Sequence, residues 1–160
     1  MLTLGIDPGT ATTGYGLITE KKGRLVFVDH GVITTSPKDT SQARLRKIYN
    51  SVKDLIRDYK PRSLAIERLF FGANTKTAIK VGQARGMTLL VAAQAKIQVA
   101  EYSPLEVKMA VTGYGRAEKK QVQQMVKNLL SLSFLPKPDD AADALAIAIC
   151  HLHSYRLARI

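Results

Sequence analysis

Four carboxylates in this chain sit where a carboxylate needs a reason. Asp7 ends an apolar run and opens Asp7-Pro8-Gly9-Thr10, in which Pro presets φ and Gly supplies the positive φ of a tight turn. An acid starting a turn often bonds its own backbone two residues on, so Asp7 alone decides nothing. Glu67 follows Ser63-Leu64-Ala65-Ile66, at the end of a short apolar strand expected to be central, where an uncompensated carboxylate is costly. Pairing with Arg68 at an exposed strand end is the plainer account of it. Asp140 and Asp143 open a helix that continues through apolar residues 144–150, and at i, i+3 they share one face. An N-cap and the helix macrodipole account for one acid, Asp139 or Asp140, but leave Asp143 unexplained.

If the strand ends bearing Asp7 and Glu67 are neighbours, and the helix docks across them, the four acids converge. Carboxylates about 4 Å apart repel by roughly 4 kcal/mol per pair at an effective dielectric of 20, so such a cluster calls for cations. Cys150 is the only cysteine and the motifs contain no histidine, so ligation would be all-oxygen. That suits Mg²⁺, with Mn²⁺ next, over Zn²⁺. Two such ions about 3.5 to 4 Å apart would activate a water and stabilise the leaving oxygen of a phosphodiester. The implied chemistry is metal-dependent phosphodiester hydrolysis.

The elements that must position these acids follow from periodicity. Residues 2–7, 13–20 and 25–35 are rich in β-branched and apolar side chains, with a hairpin turn at Lys21-Lys22-Gly23-Arg24. From Leu45 to Tyr59 apolar residues recur with a 3.6 period opposite Arg46, Lys47, Lys53 and Arg57, and Pro61 stops the helix. Residues 63–67 read as strand, 75–95 as helix and 97–102 as strand. A short helix follows Pro104, Gly113 and Gly115 break the chain, and two further helices begin near Glu118 and after Pro138. The order is βββαβαβ followed by helices, an α/β sheet covered on both faces. No repeat or linker divides it, so residues 1–160 are expected to form one domain.

Bulk properties set the partner class. The 160 residues are 46% hydrophobic, which disfavours disorder, and no apolar run is long enough for a membrane span. With no basic and apolar leader at the N-terminus and a lone cysteine in an apolar stretch, a soluble protein of the reducing cytoplasm is expected. Lys and Arg total 24 against 13 Asp and Glu, a net charge of +11. The basic residues are spread from Lys21 to Arg159, which favours nucleic acid over a membrane surface.

With these residues in view, the sequence resembles the RuvC-type Holliday-junction resolvases of bacteria, members of the ribonuclease H-like and retroviral-integrase-like nucleases. The resemblance runs through Gly5-Ile6-Asp7-Pro8-Gly9 with Thr13-Gly14-Tyr15-Gly16, then Ala65-Ile66-Glu67 and Phe70, then Lys80-Val81-Gly82-Gln83-Ala84-Arg85-Gly86. It resumes at Val107-Lys108, Gly113-Tyr114-Gly115 and Ala117-Glu118-Lys119, and closes with residues 140–148. It implies a ribonuclease H-like mixed five-stranded sheet, Asp7, Glu67, Asp140 and Asp143 as metal-binding catalytic carboxylates, and four-way junction DNA as substrate. It further implies a homodimer that nicks two strands of like polarity, with the RuvA-RuvB branch-migration complex as partner. Phe70 is expected to stack on a base near the crossover, with Phe71 as the rival ring. Lys76, Lys80, Arg85, Lys108, Arg116, Lys119 and Lys120 are expected to hold junction arms by their phosphates, Lys108 and Lys119 nearest the catalytic face. The dimer is expected along the 75–95 helix, where Ala84, Gly86, Ala92 and Ala93 permit close approach and Met87, Leu89, Leu90 and Val91 supply apolar area.

Three other readings share parts of the pattern. Asp7, Gly9 and Thr10 also resemble the phosphate-binding turn of sugar-kinase and actin-like ATPases, which enclose ATP between two domains. A ribonuclease H-like nuclease acting on RNA or hybrids would keep the metal site, and a branched-DNA binding module would keep the basic surface without cutting.

Overall fold

The computed structural model describes residues 1–69 and 75–157. Strands β1 (Leu2–Asp7), β2 (Thr12–Lys21) and β3 (Arg24–Thr34) form an antiparallel meander. Its hairpin closes through Lys22 (φ 49°) and Gly23 (φ 78°), the paired positive φ values of a type I′ turn. Helix α1 (Ser41–Tyr59) then carries the chain to β4 (Ser63–Glu67), and α2 (Thr75–Gln94) leads to β5 (Gln98–Tyr102). Both late strands are parallel to β1, giving one mixed sheet in the order β3-β2-β1-β4-β5. Helices α3 (Pro104–Thr112), α4 (Lys119–Leu129) and α5 (Asp139–Leu157) complete the described chain. No described helix is long and apolar enough to cross a membrane.

The expected elements are present, and their ends differ where capping outruns periodicity. Helix α1 begins at Ser41, four residues before the apolar pattern, because the Ala43 amide donates to Thr40 Oγ1 at 3.2 Å. Its exposed first turn carries no apolar signal to read. Its end is an αL residue, Lys60, whose amide bonds Ile56 before Pro61.

Strand alternation divides the interior into two cores. Leu4, Ile6, Leu17, Leu64 and Ile66 face α1 and α2, where Ile48, Val52, Ile56, Ala84 and Val91 cover them. The opposite face meets α5, whose Leu145, Ile149 and Leu152 pack with Val107 and Val111 of α3 and Val122 and Val126 of α4.

On that second face the strands present glycine. Gly5 and Gly16 are register partners, and Gly14 lies opposite Asp7. A Cβ on Gly5 would overlap the Ala144 carbonyl oxygen, and one on Gly14 the Asp140 carbonyl oxygen. One on Gly16 would lie 2.8 Å from the Leu145 amide nitrogen. Helix α5 therefore rests its main chain on the sheet, made narrow by Ala141, Ala142, Ala144, Ala146 and Ala148, all buried. Gly5→Ala and Gly14→Ala are expected to cost about 2 to 3 kcal/mol or more, because backbone cannot yield as a side-chain tip does. In thermal melts each should fall by at least about 4 °C. Gly82→Ala, whose Cβ would meet, among the described residues, only Leu69 at 3.6 Å, should change little or gain slightly. A Gly5→Ala protein as stable as the parent would refute this packing.

Candidate active site

Asp7 and Glu67 are the last residues of two adjacent parallel strands in which Ile6 pairs with Ile66, so they leave the same sheet edge side by side. Alternation turns both toward α5. The Asp7 turn is closed by another side chain: the Gly9 amide donates to Thr13 Oγ1 at 3.4 Å, and that hydroxyl donates to the Gly9 carbonyl at 2.6 Å. The group an Asp-initiated turn would hand to Asp7 is thus taken by Thr13. Thr10, the residue shared with phosphate-binding turns, donates its hydroxyl to the Lys80 carbonyl of α2 at 2.9 Å.

The first turns of α5 bring in Asp140 and Asp143, with Asp140 held directly over Gly14. Asp7, Glu67 and Asp143 line a pocket of about 270 Å³ with Lys108 of α3 and Lys119 of α4, above an apolar floor that includes Val107, Val122 and Ile147. Lys119 Nζ lies 3.0 Å from Asp143 Oδ2 and 3.6 Å from Asp139 Oδ2.

Burial and crowding make this a poor place for negative charge. Asp7 is pushed up to about 7, first by desolvation, then by Asp143, Glu67 and Asp140, against a smaller opposing pull from Lys119. Glu67 is raised by burial and then by Asp143. Asp143 is raised by burial, with the Lys119 hydrogen bond and charge working the other way. A desolvated all-carboxylate donor set of this kind fits a hard divalent cation. As it stands, no three described acidic, histidine or cysteine side chains are gathered closely enough to hold a metal ion. Lys119 offsets part of the negative charge.

Of the two adjacent acids, Asp140 is the one that acts on Asp7. Asp139 is exposed, and its carboxylate accepts from the buried Gln123 Nε2 at 2.8 Å. Lys76, Lys80, Arg116 and Lys120 are exposed, whereas Lys108 is half-buried at the pocket. Arg85 departs from the expectation of a free phosphate ligand. Its side chain is 14% exposed, with Nη2 2.7 Å from Glu101 Oε2 and Nε donating to the Glu67 carbonyl at 3.4 Å. Phe70 and Phe71 lie outside the described residues. Sequence reasoning did not find Gln123, Glu101 or the structural use of Gly5, Gly14 and Gly16. Only the glycines left a signal, as isolated Gly in strand patterns marks close backbone approach.

Comparison with known proteins accords with this geometry. The family model described as "Crossover junction endodeoxyribonuclease RuvC" matches residues 3–151, a span that holds all four acids and both pocket lysines. The crossover junction endodeoxyribonuclease RuvC of Syntrophomonas wolfei is 57% identical over 157 residues, covering 98% of this chain and 91% of that protein. Among solved structures, Thermus thermophilus RuvC is 36% identical with a TM-score of 0.92, covering 99% of this chain and 97% of that one. T. thermophilus RuvC in complex with Holliday junction substrate gives 35% identity and a TM-score of 0.94, covering 99% and 96%. The matches run over nearly the whole chain, and the chain belongs to the crossover junction endodeoxyribonuclease RuvC family.

Proposed function

We infer that this protein is a structure-specific endodeoxyribonuclease that resolves Holliday junctions in recombination and DNA repair, nicking two strands of like polarity symmetrically. The observation that carries the reading is the placement of Asp7, Glu67 and Asp143 in one pocket beside Lys108 and Lys119, with the Asp140 main chain seated over Gly14, the register partner of Asp7. Support for the substrate comes from the T. thermophilus relative, whose structure is a complex with Holliday junction substrate. Asp7, Glu67, Asp140 and Asp143 are proposed to hold two Mg²⁺ ions, with Mn²⁺ as the alternative. Such ions supply an activated water and charge stabilisation at the leaving oxygen. Lys108 and Lys119 meet the scissile phosphate, and Lys119 leaves Asp143 to do so. Lys76, Lys80, Arg116 and Lys120 hold the arms through phosphates, and Phe70 stacks at the crossover.

We read residues 1–160 as one ribonuclease H-like nuclease domain acting as a homodimer, with RuvA-RuvB as the partner complex. The cytoplasm is its proposed place, where the buried Cys150 remains a thiol. The dimer face is narrower than periodicity implied. Ala84, Val91 and Ala92 are buried against the protein's own sheet, and Met87 and Leu89 pack on the same core. Ile79, Gln83, Gly86, Leu90 and Ala93 remain as an outward stripe at 3–4 spacing, with Ile79 61% and Leu90 45% exposed. Among the described residues nothing lies within 4 Å of where a Gly86 Cβ would be, which leaves room for close approach.

Asp7→Asn, Glu67→Gln, Asp140→Asn and Asp143→Asn are each expected to slow single-turnover cleavage by about 100-fold or more. Junction affinity in gel shifts should stay level or improve, since each variant removes negative charge that phosphates must approach. Asp139→Asn should remain within about fivefold, its loss being that of a helix-terminus contact of roughly 1 kcal/mol. A cutting Asp7→Asn enzyme would dismiss Asp7 from the catalytic set.

The raised Asp7 also sets a stability slope. Its folded value of about 7 exceeds the ordinary 3.8, so between those values the folded state binds more protons than the unfolded. The stabilising contribution is full below about 3.8 and is lost as pH rises through about 7. Glu67 and Asp143 act in the same direction. In chelator, Asp7→Asn should therefore melt above the parent at pH 8, the gap corresponding to on the order of 4 kcal/mol at most and closing toward pH 4. MgCl₂ should shrink the gap at pH 8. A pH-independent gap would contradict the crowded-carboxylate account.

Ile79→Lys and Leu90→Lys should convert a species of twice 17.6 kDa to monomer in sedimentation at micromolar concentration. Paired nicking should be lost with it, because each active site cuts one strand. Dimeric variants would move the interface away from this stripe.

A further inference from the structure

Arg85 uses its charge inside the protein. It projects from the middle of α2 toward the sheet, where its guanidinium meets the Glu101 carboxylate at 2.7 Å and the Glu67 main-chain carbonyl at 3.4 Å. Glu101 stands on β5 opposite Ile66, and the next residue, Tyr102, stands opposite Glu67. The Tyr102 carbonyl accepts the Arg68 amide at 2.7 Å. The peptide groups around Glu67 are thus held by two elements, β5 through Arg68 and α2 through Arg85.

We propose that Arg85 is a positioning residue for Glu67, tying the end of β4 to α2 and β5 through Glu101 and the Glu67 carbonyl. The inference rests on the reading of Glu67 as a catalytic carboxylate. The tie acts where β4 ends, at Glu67, which lines the pocket together with Asp143. A planar guanidinium can address a carboxylate and a carbonyl at once from a fixed fork, which an ammonium does less well. Glu101 also neutralises Arg85, so the charge is not spent on the Glu67 carboxylate and the pocket keeps its preference for an added cation.

Arg85→Ala, Arg85→Lys and Glu101→Gln test this in the full-length protein. For Arg85→Ala the expected result is about tenfold or greater loss of single-turnover cleavage at saturating junction, the scale of a misplaced reacting group. The MgCl₂ concentration giving half of the thermal stabilisation, measured without DNA, should rise several-fold. Junction Kd and its salt slope should not change. Arg85→Lys should recover part of both losses, and Glu101→Gln should shift both in the same direction. A salt slope reduced by about 0.9 on Arg85→Ala would overturn the proposal in favour of a phosphate contact. A lower melting temperature with unchanged MgCl₂ dependence, and cleavage restored by cooling, would overturn it in favour of general stability. The parent protein run alongside separates the two readings: failure of the parent to cut junctions would sink the proposed function, while the MgCl₂ midpoint still reports on Arg85.

Discussion

Everything at the pocket depends on α5 lying main chain to main chain on β1 and β2. Three glycines make this possible, because any side chain at Gly5 or Gly14 would occupy the space of an α5 carbonyl, and one at Gly16 would crowd Leu145. Close docking sets the height of the helix over the sheet, and height decides whether its first turns overhang the strand ends. A helix held off by one layer of valines would present Asp140 and Asp143 to solvent, several ångströms from Asp7 and Glu67. The alanine-rich composition of α5 belongs to the same constraint, since wide side chains would lift it as surely as residues beneath it.

Close approach collects like charges in a desolvated corner, which by itself opposes folding. The protein meets this with Lys119, whose ammonium pairs with Asp143 and Asp139, and with the +11 balance of the whole chain. The relief is partial, since Asp7, Glu67 and Asp143 all remain raised. A site left in this condition gains from any hard cation that enters, and the surrounding basic residues gain from any polyanion that follows. Metal and substrate would answer the same imbalance from its two sides.

The fold was legible because its signals are local. Strand alternation, the 3.6 period of α1, the Gly23 turn and the stops at Pro61 and Gly113 each act within a few residues, and the structure contains the elements they imply. The acids were legible because a carboxylate in an apolar stretch of sequence is conspicuous, as at Glu67 and Asp143. Pairings that close across the fold left no such trace. Arg85 is expected on a junction phosphate until Glu101 of β5 is found beside it, and nothing local in the sequence joins Gln123 to Asp139. Helix α2 is apolar around most of its circumference, so periodicity alone did not divide residues facing its own sheet, such as Ala84 and Val91, from Ile79 and Leu90 facing outward.

The alternation along β1 has an evolutionary corollary. Leu4 and Ile6 belong to one core while Gly5 and Asp7 serve the other side, so the strand is written in two interleaved texts that share a reading frame. Losing or gaining a single residue within it would exchange the texts, sending isoleucine under α5 and the acid into the interior behind it. Lengthening the Lys22-Gly23 hairpin disturbs neither, because that turn lies beyond both cores. Lineages descending from this architecture are therefore free to vary in loop length while the strand changes only by substitution, and the distance in sequence from Gly5 to Asp7 becomes a fixed interval against which divergent relatives can be aligned.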